Sequence, residues 1–186
     1  MELYAKVLQQ KHGEQIQSES LKRVSVHQNL EYEIGSFQTS KDASFSTMSI
    51  WVNENNSEKR ILEAVYKNAA SDGEVDLSDI SKARSLWMEL CNSHKANELV
   101  KQLYTYDAIY YNRGRILRGY DQLSKEYGYM NNPSYSLELH PLLVQPVNES
   151  TVFEMGKCSG SYNLPYLLIW KKQDDGSWKI YMDSNF

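Results

Sequence analysis

At 186 residues the chain has room for one domain of ordinary size and part of a second. Its 20 Lys+Arg against 24 Asp+Glu leave a formal charge of -4 and a pI near 5.6, without the basic footprint that binding to phosphate backbones requires, so no nucleic acid partner is expected. No stretch approaches the roughly 20 apolar residues of a membrane span, and no basic segment followed by an apolar one opens the sequence, so the expectation is a cytoplasmic protein with no membrane partner.

In chain order, residues 1–70 read as a helix from Met1 to about Gln10, ending near His12-Gly13, followed by antiparallel strands. Small and polar residues then mark a linker at 71–75. From Asp76 to Cys91, the residues Leu77, Ile80, Ala83, Leu86, Trp87, Leu90 and Cys91 recur at three and four residue spacing and predict an amphipathic helix, capped by Asp76 or Ser78. A shorter helix is expected from Ala96 to about Tyr104, then a strand over Asp107–Tyr111, whose β-branched and aromatic residues suit one. After the turn Asn112-Arg113-Gly114-Arg115, a third helix starts near Asp121 with Leu123, Tyr127 and Met130 on one side, and Asn131-Asn132-Pro133 stops it. The remainder reads as four strands, Ser136–Val144, Ser150–Cys158, Tyr162–Lys172 and Trp178–Asp183, the last two joined by the hairpin turn Asp174-Asp175-Gly176.

The first 70 residues repeat the end of that order. Tyr32-Glu33-Ile34-Gly35 aligns with Phe153-Glu154-Met155-Gly156, Ser49-Ile50-Trp51 with Leu168-Ile169-Trp170, Asn55-Asn56-Ser57 with Asp174-Asp175-Gly176, and Arg60-Ile61 with Lys179-Ile180. On this alignment Lys59 stands for Trp178 and Ala64 for Asp183, and nothing upstream answers to the first two helices. The first unit is thus expected to be the helix and strands of a half domain whose sheet borrows cover, either from the complete domain or from a second chain; a truncated gene product is the blander alternative.

The run Leu103-Tyr104-Thr105-Tyr106-Asp107-Ala108-Ile109-Tyr110-Tyr111, the segment Arg118-Gly119-Tyr120-Asp121-Gln122-Leu123, and the closing hairpin from Ile169-Trp170 through Asp175-Gly176-Ser177-Trp178-Lys179-Ile180 resemble the nuclear transport factor 2-like superfamily. The SnoaL-like proteins and the association domain of calcium/calmodulin-dependent kinase are the members most similar in motif order. The resemblance implies an α+β fold in which a curved antiparallel sheet wraps around helices as a cone with a pocket at its open end. It covers 76–186 fully and 1–68 in part. It also implies pairing through the outer face of the sheet, hence a homodimer. The same fold hosts enzymes and binding modules, so function has to be argued from the site.

Ketosteroid isomerases of this superfamily carry a carboxylate base five residues after the Asp of the Asp-Ala pair. Here that position is Asn112, and an amide has no proton to titrate near neutrality. Asp107 itself is expected to satisfy backbone N–H groups at a helix-to-strand junction. Asp183 is the best acid/base candidate if it faces inward, with Tyr110 as its companion; strict alternation groups Asp183 with Lys179 and Tyr181, and sets it opposite Trp178, Ile180 and Met182. Trp87, Tyr110, Asn112, Tyr120, Tyr127 and Trp170 are the expected ligand-binding set. The four histidines have no metal-ligand spacing, the two cysteines read as buried hydrophobes, and no phosphate loop or nucleophile elbow occurs, so neither metal nor cofactor is expected. The expected function is a noncatalytic module for a small hydrophobic ligand or for oligomerisation. The alternative is a SnoaL-like enzyme of isomerase, dehydratase or hydrolase type.

Overall fold

A computed structural model describes residues 16–39, 43–69, 75–112 and 114–185, divided into two compact units at Gly73. The expected helix at Met1–Gln10 and most of the expected linker lie outside the described residues.

The first unit is an antiparallel sheet of β1 (Ile16–His27), β2 (Leu30–Thr39), β3 (Ser44–Glu54) and β4 (Ser57–Lys67), in that spatial order. Asn55 and Asn56 both take positive φ, 53° and 60°, which is the mirror-image turn that joins β3 to β4 with the twist of the strands.

In the second unit, α1 (Ser78–Asn92) and α2 (Ala96–Leu103) precede β5 (Tyr104–Asn112), and β6 (Arg115–Arg118) leads into α3 (Gly119–Glu126) and a 3-10 turn at Tyr127–Asn131. The meander β7 (Leu137–Asn148), β8 (Thr151–Gly160), β9 (Pro165–Lys172) and β10 (Trp178–Asn185) completes it. The six strands lie in the order β6-β5-β10-β9-β8-β7, with β10 parallel to β5 and every other pair antiparallel. Pro141 and Pro146 fall on β7, an edge strand, where a missing N–H breaks no ladder bond on the open side.

Several expectations shift in detail. The first helix begins at Ser78, whose N–H is accepted by Asp76 Oδ1 at 2.8 Å. The second helix ends one residue early because Tyr104 already has extended backbone (φ -108°, ψ 151°), so the strand starts there instead of at Asp107. Asp107 is therefore an exposed residue inside β5, not a residue at the junction. The short strand β6 occupies the stretch between the expected turn and the third helix, to which no element was assigned, and that helix starts at Gly119 rather than near Asp121.

The largest correction concerns β10. Its pairing with β9 steps from Trp170↔Ile180 to Ile169↔Met182, leaving Tyr181 as an extra residue. Such a bulge resets the alternation, so Asp183 shares its face with Trp178 and Ile180 rather than with Lys179 and Tyr181. That face packs on the helices: Trp178, Ile180, Leu168, Trp170, Val152 and Tyr166 join Ile80, Trp87, Leu99, Leu103 and Leu123 in one buried core. The face turned away from the helices is also apolar, with Phe153, Met155, Leu167, Ile169 and Met182.

Each meander has the same internal register. Tyr32↔Ile50, Glu33↔Ser49 and Gly35↔Thr47 in the first unit run as do Phe153↔Ile169, Glu154↔Leu168 and Gly156↔Tyr166 in the second. The first unit has its own bulge at Ile61, between Ile50↔Leu62 and Trp51↔Arg60, where the second has Tyr181. By this register the residue matching Asp183 is Glu63 and the residue matching Ile180 is Arg60, one step from the alignment read off the sequence.

Candidate functional site

Asp183 is 2% exposed on the helix side of β10. Two tyrosines from different elements donate to the same carboxylate oxygen: Tyr104, the first residue of β5, at 2.6 Å to Oδ2, and Tyr127, the first residue of the 3-10 turn. The indole N–H of Trp87, on the buried stripe of α1, donates in turn to the Tyr104 hydroxyl at 3.2 Å. Burial pushes the Asp183 carboxyl up to about 6, and the two tyrosine bonds pull the other way. Burial first, and the nearby Asp183 charge second, hold Tyr104 and Tyr127 well above the usual phenol range, so both stay neutral donors.

Asp183 Oδ1 has no hydrogen-bond partner among the described residues. Asp183 lines a cleft of about 10 Å³ together with Trp87, Leu137, Leu139, Cys158, Tyr166, Leu168 and Asn185. A space of that size admits one water-sized group. Asn185 Oδ1 accepts from the Tyr110 hydroxyl, which itself accepts from Asn112 Nδ2 at 2.8 Å. Burial also raises the Cys158 thiol, leaving it a neutral wall and no nucleophile.

A second buried carboxylate, not among the expected site residues, lies on the same face. Glu154, fully buried, accepts two bonds from the Arg84 guanidinium (2.7 and 2.8 Å), one from Tyr166 (2.7 Å) and one from the Trp170 indole (2.9 Å). All four of its strong acceptor positions are used, one fork of them by a full positive charge. The available signal was Arg84 itself, because Ile80, Arg84, Trp87 and Cys91 form the buried stripe of α1 and a cation there must meet an anion.

Of the expected site residues, then, Trp87 and Asp183 border the cleft, Tyr127 holds Asp183, and Tyr110 with Asn112 holds Asn185. Trp170 is committed to Glu154 instead, and Tyr120 donates to the Tyr104 carbonyl at 3.1 Å with its ring edge-on to Tyr106; neither borders the cleft. Tyr104, which holds Asp183, and Leu137, Leu139 and Asn185, which line the cleft, were missed, since their meeting depends on strand register.

A wider cleft of about 110 Å³ opens on the first unit beside Trp51. Its Arg23 is already bonded to Glu31 and Glu58, both at 2.7 Å, and Arg60 lies 4.7 Å over the Trp51 ring. Among the described residues no group of His, Cys, Asp and Glu is placed to hold a metal ion, and no helix is long and apolar enough to cross a membrane.

No family model matches the chain, and no curated protein matches it. Solved structures do. A nuclear transport factor 2-like protein of unknown function from Shewanella oneidensis is similar at 18% identity and a TM-score of 0.51, over 57% of this chain and 95% of that one. A ketosteroid isomerase-like protein from Erwinia carotovora atroseptica is similar at 18% identity and a TM-score of 0.50, over 60% and 95%. A conserved protein from Planctomyces limnophilus gives 16% identity and a TM-score of 0.50, over 59% and 94%. At such identities the likeness establishes the fold, an α+β cone of the nuclear transport factor 2-like kind, and not an activity.

Proposed function

We propose that the second unit is a noncatalytic binding domain whose ligand presents a small polar head to Asp183. The observation that carries this reading is Asp183 itself: a buried carboxylate with one oxygen, Oδ1, without a partner among the described residues, in the lining of a largely apolar cleft. Leaving such an acceptor unmet costs on the order of 1–3 kcal/mol, which a bound donor would return. Pockets that enclose whole small molecules run to roughly 300–1,000 Å³, so a cleft of about 10 Å³ surrounds only the head and leaves the remainder of the ligand at the mouth. Catalysis is disfavoured by Asn112, which stands where the resemblance puts a carboxylate base and is bonded to Tyr110.

One observation favours the enzymatic alternative. A carboxyl held at about 6 in an apolar cleft has the affinity for protons that a general base needs near neutrality. Native mass spectrometry of the purified chain, searching for a retained small molecule, tests the binding reading; a ligand that is retained by the wild type and lost from Asp183→Asn supports it, and equal retention by both overturns it. If a substrate emerges, unchanged turnover in Asp183→Asn and Tyr110→Phe removes the enzymatic alternative.

For the first unit, we infer a partial copy of the same meander. What supports the copy is the shared register, the matched bulges, and a bond made in both units: Trp51 Nε1 donates to Glu33 at 2.6 Å as Trp170 does to Glu154. Several positions that face helices in the second unit are polar in the first. Arg23, Glu31, Ser49 and Arg60 stand where the second unit has Val144, Val152, Leu168 and Ile180. A sheet face so composed needs helices less than its counterpart does, while Tyr32, Ile34, Met48 and Ile50 of the same sheet are fully buried, and the expectation that the sheet borrows cover stays a proposal.

A further inference from the structure

The same helix-side face holds two buried carboxylates, and only one has its charge answered from within. Glu154 is matched by Arg84 in a two-bond fork and completed by Tyr166 and Trp170. Asp183 receives only neutral donors, the Tyr104 and Tyr127 hydroxyls, and both go to Oδ2. Among the described residues it makes no ion pair, although it is 2% exposed. An ionised carboxylate in that position is expensive unless a cation joins it; Asp183 lines the cleft, and its Oδ1 has no partner among the described residues.

We infer that the cleft selects a primary amine in its ammonium form, with the –NH₃⁺ head against Asp183 Oδ1 and an apolar tail toward the mouth. The inference rests on the reading of this cleft as a ligand site and names the ligand's class. Three features select that head. An ammonium is one heavy atom in size, matching a cleft of about 10 Å³ that a guanidinium or a trimethylated nitrogen overfills. It donates hydrogen bonds and accepts none, which suits the buried unpartnered acceptor Asp183 Oδ1. It brings a positive charge to a carboxylate that has no counter-ion among the described residues. The leucines of β7 and β9 then favour an aliphatic or aromatic tail over a polar one.

The test is a titration of the isotopically labelled full chain at pH 7.5 with n-hexylamine, n-hexanol, 2-hexanone and hexyltrimethylammonium. The readout is the NMR signal of the Trp87 indole N–H, assigned by its loss in Trp87→Phe. Hexylamine is expected to move that signal and to bind at least tenfold more tightly than hexanol, with hexyltrimethylammonium no better than the alcohol. Asp183→Asn should bring amine and alcohol within about twofold of each other, and Leu139→Trp, which fills the cleft from β7, should weaken both, each variant keeping the wild-type far-UV circular dichroism. If hexanol or hexanone matches or exceeds the amine at this signal, the amine inference falls while the ligand site stands. If the amine binds equally to Asp183→Asn, its attraction is to the acidic surface and the inference falls. If no probe moves the Trp87 signal at millimolar concentration, both the inference and the ligand site fall.

Discussion

Replacing Arg84 by Met removes the guanidinium from Glu154 while keeping most of the apolar stem that lies along α1. Arg84 has a side chain 10% exposed and Glu154 one that is 0% exposed, so neither regains water when the other leaves. Glu154 would keep Tyr166 and Trp170 but lose two charge-assisted bonds and its counter-charge. Breaking a buried pair from one side costs about 3–5 kcal/mol, and at an m-value of roughly 1–1.5 kcal/mol per molar urea the midpoint should fall by about 2–5 M. The partner change Arg84→Met with Glu154→Gln removes the stranded charge while leaving an acceptor for Tyr166, and should recover at least half of the loss. Urea titrations of the two single variants and the double, followed by circular dichroism, close the cycle. A shift under about 0.5 M for Arg84→Met, the size seen for an exposed pair, would refute the view that this bond fastens α1 to the sheet.

Three more outcomes are expected. Gly156→Ala should destabilise by about 1–3 kcal/mol, because an added Cβ would meet the Tyr166 ring at 2.3 Å, and a thermal melt indistinguishable from wild type would contradict that contact. Asp183, held at about 6 by burial against an unfolded value near 3.8, stabilises the fold in full below the unfolded value and loses that contribution as pH rises through about 6; the span is worth roughly 3 kcal/mol, and Asp183→Asn should flatten the fall in urea midpoint between pH 4 and 7, parallel profiles counting against it. The homodimer remains a proposal that light scattering on a sizing column decides: a species near twice 21.6 kDa supports it, and one at 21.6 kDa at tens of micromolar defeats it.

What the sequence made legible was whatever depends on neighbours along the chain. The stripe from Ile80 to Cys91, the extended run ending at Tyr111 and the Gly176 hairpin are local patterns, and they appear close to where they were expected. Glu154 and Arg84 were invisible as a pair because 70 residues separate them, and a carboxylate amid Phe153 and Met155 looks in sequence like a solvated strand residue. The strand β6 is four residues long, too short for a period to show. Asp183 was singled out correctly as a candidate that could turn inward, but its company on the strand was misjudged, since period-two counting has no means of registering one extra residue at Tyr181.

That extra residue makes length, more than chemistry, the vulnerable property of β10. Beyond Tyr181 every side chain owes its address to a single inserted position: a one-codon deletion there would close the ladder and leave Asp183 inward, whereas a one-codon insertion beside it would send Asp183 outward and draw Met182 in, exchanging a carboxylate for a thioether at the centre of the tyrosine cluster without altering either residue. Substitutions along this strand change one contact at a time; an insertion rewrites the whole inner wall at once. The matching bulge at Ile61 places the same liability on β4, where the residue carried across would be Glu63.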